Sequence, residues 1–95
     1  MNNKGKHLGE LIRKRREELG LTQDQLASLT LKYGRTAYQY ISNCERGKAG
    51  ISPKYFPLFA NALKISKRKI LDAYLLDCEE MAESVFNGHL FETID

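Results

Sequence analysis

The sequence predicts an all-α fold of five helices, of which the last is long and acidic. Apolar residues recur at spacings of three and four along most of the 95-residue chain, and capping residues, glycines or prolines stand where these segments should begin and end. No segment shows the alternation typical of a strand, and there is no internal repeat. A chain of this length is expected to form one core with at most one appended element.

Helices one and two are recognised by their ends. Gly20 can adopt a positive φ and follows the first apolar segment, so it is expected to end helix one. Thr22 and Gln25 have the spacing of a capping box, in which each side chain binds the backbone N–H of the other residue, so helix two begins there. The apolar residues of helix two are expected to share one face before Gly34 ends it: Leu26, Ala27, Leu29 and Tyr33.

Helix three is expected over 36–44. Thr36 and Gln39 form a second capping box, and Gly47 closes the segment. The apolar residues at i, i+4 and i+7 should point into the core: Ala37, Ile41 and Cys44. The polar side chains between them are then left facing outward: Tyr38, Gln39, Ser42 and Asn43.

Helix four is located by its prolines. Pro57 lacks a backbone N–H and fits only within a first helical turn, so the helix should begin between Pro53 and Phe56. Its bulky apolar stripe is expected to be central to the core: Phe56, Phe59, Ala60 and Leu63.

Helix five is expected to begin after Ser66 and to run to about Phe86. Its apolar residues follow a 4-3-4-3 spacing, which is the seam of a helix that packs along another helix: Leu71, Leu75, Cys78, Ala82 and Val85. Such a helix is about 30 Å long, as long as the expected domain is wide. The half beyond Asp77 therefore either folds back onto its own chain or pairs with a second subunit, and the sequence leaves both open.

Charge is segregated along the chain. Residues 1–69 hold all 15 basic residues and five acidic ones, a net charge of +10, whereas residues 70–95 hold seven acidic residues and no Lys or Arg, a net charge of −7. This asymmetry suggests a body that binds a polyanion and an acidic appendage that avoids it, although a solvated surface of mixed charge would look the same.

Several classes of protein do not fit the composition. The chain has no uncharged apolar stretch of about 18 residues and no signal-peptide pattern at its start, so we expect no membrane insertion and a cytoplasmic location. Cys44 and Cys78 lie far apart without metal-ligand spacing, and both are expected in the core. No nucleophile–base pair or phosphate loop occurs, so we expect neither an enzyme nor a cofactor.

Three sequence fragments together resemble a known family. They are Leu21-Thr22-Gln23-x-x-Leu26-Ala27, Ile41-Ser42-x-x-Glu45-x-Gly47-Lys48 and Phe56-x-x-Phe59-Ala60-x-Ala62-Leu63. Their order and content resemble the phage repressor and Cro family of helix-turn-helix proteins, also called the XRE family, over about residues 8–76. The resemblance implies a lambda-repressor-like helix-turn-helix domain over 6–76, an extension over 77–95, binding to double-stranded DNA and a role in transcription regulation.

The resemblance also implies roles for individual residues. Helix three would be the recognition helix, and the positions that match base-reading residues of the family are Tyr38, Gln39 and Asn43. Gln23 matches a family glutamine that contacts phosphate. From charge near the helix ends, we add four further phosphate-contacting residues: Lys32, Arg35, Arg46 and Lys48. Arg16 and Glu45 match positions that form an internal ion pair.

One departure from the family pattern concerns the junction before helix three. Between Ala27 and Ile41 the chain has four residues more than the family spacing. Because four residues are close to one helical turn, we expect helix two to lengthen through Leu31 to Tyr33.

Two functions remain open. The first is a homodimeric repressor on a palindromic operator, with helix five and the tail residues Leu90, Phe91 and Ile94 as dimer contacts. The second is an antitoxin or anti-regulator whose acidic last helix binds a protein partner.

Overall fold

The computed structural model describes residues 5–31 and 37–89, with side chains through Asn87, and over these ranges the fold is all-α. Its elements are α1 (Lys6–Glu18), α2 (Gln23–Thr30), α3 (Ala37–Glu45), a 3₁₀ turn (Pro53–Tyr55), α4 (Phe56–Leu63) and α5 (Lys67–His89). The predicted five-helix fold is confirmed. Features predicted at Lys32, Tyr33, Gly34, Arg35, Thr36, Leu90, Phe91 and Ile94 lie outside the described residues. No described helix is long and apolar enough to cross a membrane.

The helix ends follow the sequence closely. Gly20 has a φ of 72° immediately after α1, as a terminator requires. The Thr22 hydroxyl accepts from the Gln25 backbone N–H at 3.0 Å, and the Gln25 side chain accepts from the Thr22 N–H at 2.8 Å. Pro57 lies in the first turn of α4, and the Ser66 hydroxyl accepts from the Lys69 N–H at 3.2 Å at the start of α5.

The face and the length of α2 differ from the prediction. Its buried residues are Leu26, Ala27 and Thr30, whereas Leu29 is 52% exposed. Thr30 can occupy the core because its hydroxyl donates to the Leu26 carbonyl at 2.8 Å. The expected lengthening of α2 through Leu31 is not found, because α2 ends at Thr30 and Leu31 is its C-cap, while Tyr33 lies outside the described residues. Leu31 packs against the core, which holds the chain at that point.

The core forms where all five helices meet. Phe59 and Leu63 of α4 lie at its centre, each at most 1% exposed, while Phe56 and Ala60 are partly buried at its edge. The remaining fully buried apolar side chains come from the other four helices and are Ile12, Leu26, Ile41, Cys44 and Ile70. Arg15 fastens α1 to the end of α4, because its Nε donates to the Leu63 carbonyl at 2.9 Å.

Helices α1 and α3 approach each other closely at Gly9. A Cβ atom placed on Gly9 would overlap the Cys44 carbonyl oxygen and lie 3.3 Å from the Glu45 Cα. Glycine at this position therefore lets the backbone of α1 rest directly on the end of α3. This contact fixes the position of the C-terminal end of α3 relative to α1.

Helix α5 is one unbroken rod, and only its first half is packed. Ile70 is in the core, and the buried Asp77 carboxylate accepts from the backbone N–H groups of His7 (2.7 Å) and Leu8 (3.0 Å) at the start of α1. From Cys78 to Asn87 every residue is exposed, and this half contacts α1 through Glu80, whose Oε2 lies 2.8 Å from His7 Nε2, but it does not fold back onto the described core. The prediction that Cys78 is a core residue is wrong, because it follows the last buried turn of α5.

Candidate nucleic-acid interface

The outward face of α3 carries the predicted base-reading side chains. The helix spans Ala37–Glu45, which overlaps the expected 36–44. Tyr38 is 45% exposed and Gln39 is exposed, so neither is packed away, whereas Asn43 is half-buried one turn further on. Ala37, Ile41 and Cys44 are buried as predicted, which leaves this polar face free for contact. The face is an amide- and phenol-bearing surface on a helix of the right width for a major groove.

The end of α3 is held by a buried polar junction of four groups. Arg16 of α1 binds Glu45 through two hydrogen bonds, from Nε to Oε2 at 2.7 Å and from Nη2 to Oε1 at 3.0 Å. A third guanidinium nitrogen, Nη1, donates to the Leu21 carbonyl at 2.8 Å. The Glu45 side chain is 1% exposed and that of Arg16 is 12% exposed. The structure thus brings together the two residues expected to pair.

Electrostatics at this junction favour the charged state of Arg16. The hydrogen bond to Glu45 raises the pKa of Arg16 against the opposing effect of burial, with Coulomb attraction to Glu45 and Glu17 adding to the rise. Because a buried charge without a partner is expensive, both side chains must be present for α3 to keep its position.

Gln23 belongs to the same junction. Its Nε2 donates to Glu45 Oε1 at 2.9 Å, so the side chain at the start of α2 is held against the end of α3. The sequence assigned Gln23 to phosphate, and the structure adds a second contact that the sequence pattern did not indicate. This bond fixes the α2 N-terminus, where the helix dipole favours an anion.

Basic side chains flank the end of α3. Arg46 and Lys48 are exposed, and Arg46 Nη2 donates to Asn43 Oδ1 at 3.4 Å. Lys6 and Arg13 of α1 line with Arg46 a depression of about 200 Å³, which Glu10 and Glu45 also line, and sequence reasoning missed Arg13. Lys6 is the first residue of α1, whereas the basic start of the sequence would also be compatible with a flexible arm along the DNA backbone. The proximity follows from the close α1–α3 packing at Gly9, which a single sequence does not reveal.

The loop after α3 is held in place by hydrogen bonds. The Asn43 carbonyl accepts from the Lys48 N–H at 2.9 Å, and the Tyr40 hydroxyl accepts from the Ser52 N–H at 3.3 Å and lies at the same distance from the Gly50 carbonyl. Burial raises the pKa of Tyr40, so its hydroxyl stays protonated and can donate to that carbonyl. Lys48 is therefore presented from a fixed turn. Lys32 and Arg35, the other two predicted phosphate contacts, lie outside the described residues.

Comparison with known proteins agrees with this geometry. A family model described as helix-turn-helix matches residues 12–70, a range that runs from within α1 to the start of α5. No curated protein and no solved structure matches the chain. Since the family model covers more than half of the chain, the protein belongs to the XRE-type helix-turn-helix family and is a DNA-binding transcription regulator of that type.

Proposed function

We propose that this helix-turn-helix protein is a cytoplasmic transcriptional repressor that binds a palindromic operator as a homodimer. Residues 6–76 form the DNA-binding domain, and residues 77–95 form the dimerisation element. The observation that carries the proposal is the polar outer face of α3, which is exposed while the opposite face and the end of the helix are held rigidly.

The chemistry of that face suits direct reading of bases. Gln39 and Asn43 each carry an amide that can bond in a bidentate way to adenine, and the Tyr38 ring can lie against a thymine methyl group. Each good bidentate contact contributes about 1–3 kcal/mol of discrimination against a wrong base pair. Rigid presentation supports this role because the amides meet the groove already positioned.

Phosphate contacts come from the rim of the same face. Arg46, Lys48 and the α2 terminus at Gln23 are joined by Lys6 and Arg13, whose position beside Arg46 makes them further candidates. Lys32 and Arg35 complete the set proposed from sequence. These contacts would fix the orientation of the protein on the duplex without reading sequence.

The dimer brings two α3 helices to successive major grooves. On one face of B-DNA these grooves lie about 34 Å apart, so a twofold protein reads a palindrome with half-sites one turn apart. The exposed half of α5 supports this part of the proposal, because it offers contact surface away from α3.

The test is a selection from random duplex DNA, followed by titration of the enriched site at several salt concentrations. A repressor of this type enriches one palindrome, with log K falling by about 0.9 per phosphate contact for each log unit of salt. The Gln39→Ala variant should relax the preference at one position of each half-site, while Asn87→Ala, which removes an exposed amide on α5, leaves it unchanged.

Matched charge variants separate the phosphate contacts from general attraction. Arg46→Ala and Lys48→Ala should weaken binding to all sequences alike and reduce the salt slope by about one. Lys14→Ala removes an exposed charge on α1, in the groove formed with the α4–α5 turn, and should leave the slope unchanged. Enrichment of no sequence would refute the repressor proposal.

A second candidate is an antitoxin or anti-regulator that binds a basic protein partner through α5. The observation that favours it is the acidic, exposed half of this helix, in which Glu79, Glu80 and Glu83 lie among exposed apolar residues. Co-purification from the native host of one small basic protein in stoichiometric amount, lost on deletion of residues 79–95, would support it. A full-length protein that purifies alone and selects a palindrome would contradict it.

A further inference from the structure

An apolar groove runs between α4 and the first half of α5. Its volume is about 530 Å³, and the residues that line it include Pro53, Phe56, Pro57 and Ala60 on one side and Ile70 and Leu71 on the other. Phe56 also packs edge-on against Tyr74 of α5, with ring centroids 5.1 Å apart. Asn61 and Lys67 also line the groove, and Leu71 is the residue at which its α5 wall continues toward the second half of that helix.

The predicted seam of α5 continues from this groove to the far end of the helix. Leu71 lines the groove, whereas Leu75 and Val85 are each 57% exposed and Phe86 is 75% exposed. Residues 71, 78 and 85 are seven apart and so lie on one line along the helix. The first turns of α5 thus form one wall of the groove, and its last turns expose apolar side chains to solvent.

The groove at the start of α5 and the exposed apolar side chains at its end can bind each other when two copies are related by a twofold axis. Two α5 helices side by side and antiparallel place the Val85–Phe86 end of each over the groove of the other. In the alternating layers of an antiparallel pair, Leu75 then faces Cys78 of a second copy, and Leu71 faces Ala82. A parallel pair would instead leave both grooves open.

Charge selects the same direction. Lys67, Arg68 and Lys69 lie exposed at the start of α5, where Arg68 also pairs with Asp72 at 3.1 Å, while Glu79 and Glu83 lie exposed in the second half and Glu80 contacts His7 of α1 at 2.8 Å. An antiparallel pair brings the basic end of one helix toward the acidic half of the other, whereas a parallel pair sets like charges together.

We propose that the α4–α5 groove is the docking site for the Val85–Phe86 end of α5 from a second copy of this chain, in an antiparallel pair with Leu71 against Ala82. This proposal rests on the homodimer proposed above. It adds the relative orientation of the two α5 helices and the residues that face each other between them. The occupant is a second copy because the apolar side chains and the charge pattern that fit the groove are found on the same helix.

Disulfide trapping in the full chain tests the register. In a Cys78→Ser background, Leu71→Cys combined with Ala82→Cys should give a cross-linked dimer within minutes of mild oxidation, because facing positions bring the Cα atoms within the roughly 7 Å that a disulfide requires. Within one chain these positions are 11 residues apart, about 16 Å along the helix, so they cannot bridge internally. Cys44, the remaining native cysteine, is buried and should not react.

Three single-cysteine controls in the same background define the alternatives. Leu71→Cys alone and Ser84→Cys, the latter on the opposite face of α5, report random collision. Val85→Cys reports parallel pairing, because antiparallel helices hold these two positions roughly 25 Å apart. Cross-linking at Val85→Cys without cross-linking of the 71/82 pair would overturn the proposal.

Sedimentation separates this proposal from the homodimer on which it rests. Val85→Asp should raise the dimer dissociation constant at least tenfold, while Ser84→Asp, which adds the same charge one residue away, changes it less than threefold. A wild-type monomer at tens of micromolar would overturn both the homodimer and this register. A stable dimer that Val85→Asp leaves intact would overturn the register alone.

Discussion

The Arg16–Glu45 junction and the outer half of α5 differ in which side chains they bury and which they expose. At the junction, charged and polar groups are buried and every one is bound to another part of the chain. In the outer half of α5, large apolar side chains lie exposed, and Glu80 makes an exposed contact with His7 of α1 at 2.8 Å. The junction is complete within one molecule, and the outer half of α5 is not.

The difference separates the contacts that fix α3 from the surface that we propose brings two molecules together. Buried polar networks have one satisfied arrangement, so the junction holds α3 in a single position relative to α1 and α2. An exposed apolar stripe imposes no such arrangement on its own chain. Substitutions at the junction should therefore damage the fold, and substitutions on outer α5 should leave it intact.

The largest effect is expected at the junction itself. Replacing Glu45 by Ala leaves the Arg16 guanidinium buried without its partner and should lower the free energy of unfolding by about 3–5 kcal/mol in urea titrations. The double variant Arg16→Met, Glu45→Leu should lose less than Glu45→Ala, because no unpaired charge remains. A loss below about 1 kcal/mol for Glu45→Ala would mean that the junction does not hold α3.

A steric change at the α1–α3 contact comes next. Gly9→Ala drives a methyl group into the Cys44 carbonyl and should lower the unfolding free energy by about 3 kcal/mol, the upper end of the usual overpacking cost. Gly20→Ala is the matched control, because a Cβ there meets nothing within 4 Å and only the positive φ is strained. Its loss should be about 1 kcal/mol, measured by the same titration.

A smaller effect is expected where α5 joins the body. Asp77→Asn keeps the shape of the side chain but removes the charge that receives two backbone N–H groups of α1, so we expect a loss of about 2 kcal/mol. Glu79→Gln makes the same chemical change two residues further on, in an exposed position, and should change stability by less than about 0.5 kcal/mol. Equal effects of the two variants in thermal unfolding would show that Asp77 does not anchor α5.

The smallest effect on stability is expected from labelling the two cysteine thiols. The reactivity of each thiol reports whether it is buried, and the labelling itself leaves the fold intact. Burial raises the pKa of Cys44 to about 11, so at pH 8 its thiol is both shielded and protonated, whereas Cys78 is exposed. At a protein concentration at which the chain is monomeric, so that the proposed α5 pairing does not cover Cys78, a thiol reagent should label one cysteine per folded chain, and Cys78→Ser should abolish that labelling. The second cysteine should react only after unfolding in urea, and its rapid reaction in the folded protein would contradict the described core.

Local rules accounted for most of the fold. The Thr22 capping box, the Gly20 terminator and the placement of Pro57 depend on neighbours within one turn, so the sequence displays them directly. The Arg16–Glu45 contact, at 2.7 Å, lies where the family resemblance implied it.

The features that escaped prediction depend on distant neighbours. Leu29 is exposed although it is apolar, because Thr30 takes the inward position and satisfies its hydroxyl on the preceding turn. The role of Gly9 depends on the Cys44 carbonyl, 35 residues away, and that of Asp77 depends on the start of α1. Neither partner can be read from spacing, which is also why Arg13 was missed at the candidate interface.

Helix α5 is also a lever. It is unbroken over 23 residues and contains no proline, and it is anchored to α1 by Asp77 and, one turn further on, by Glu80, whose Oε2 lies 2.8 Å from His7 Nε2. At 1.5 Å per residue the arm beyond Glu80 is roughly 14 Å long, so a tilt of about 10° there moves its tip by about 2 Å. In a dimer joined through these arms, the same tilt changes the separation of the two α3 helices. The crossing angle of the two α5 helices, which do not contact DNA bases, would then set the spacing between operator half-sites that the dimer can bind.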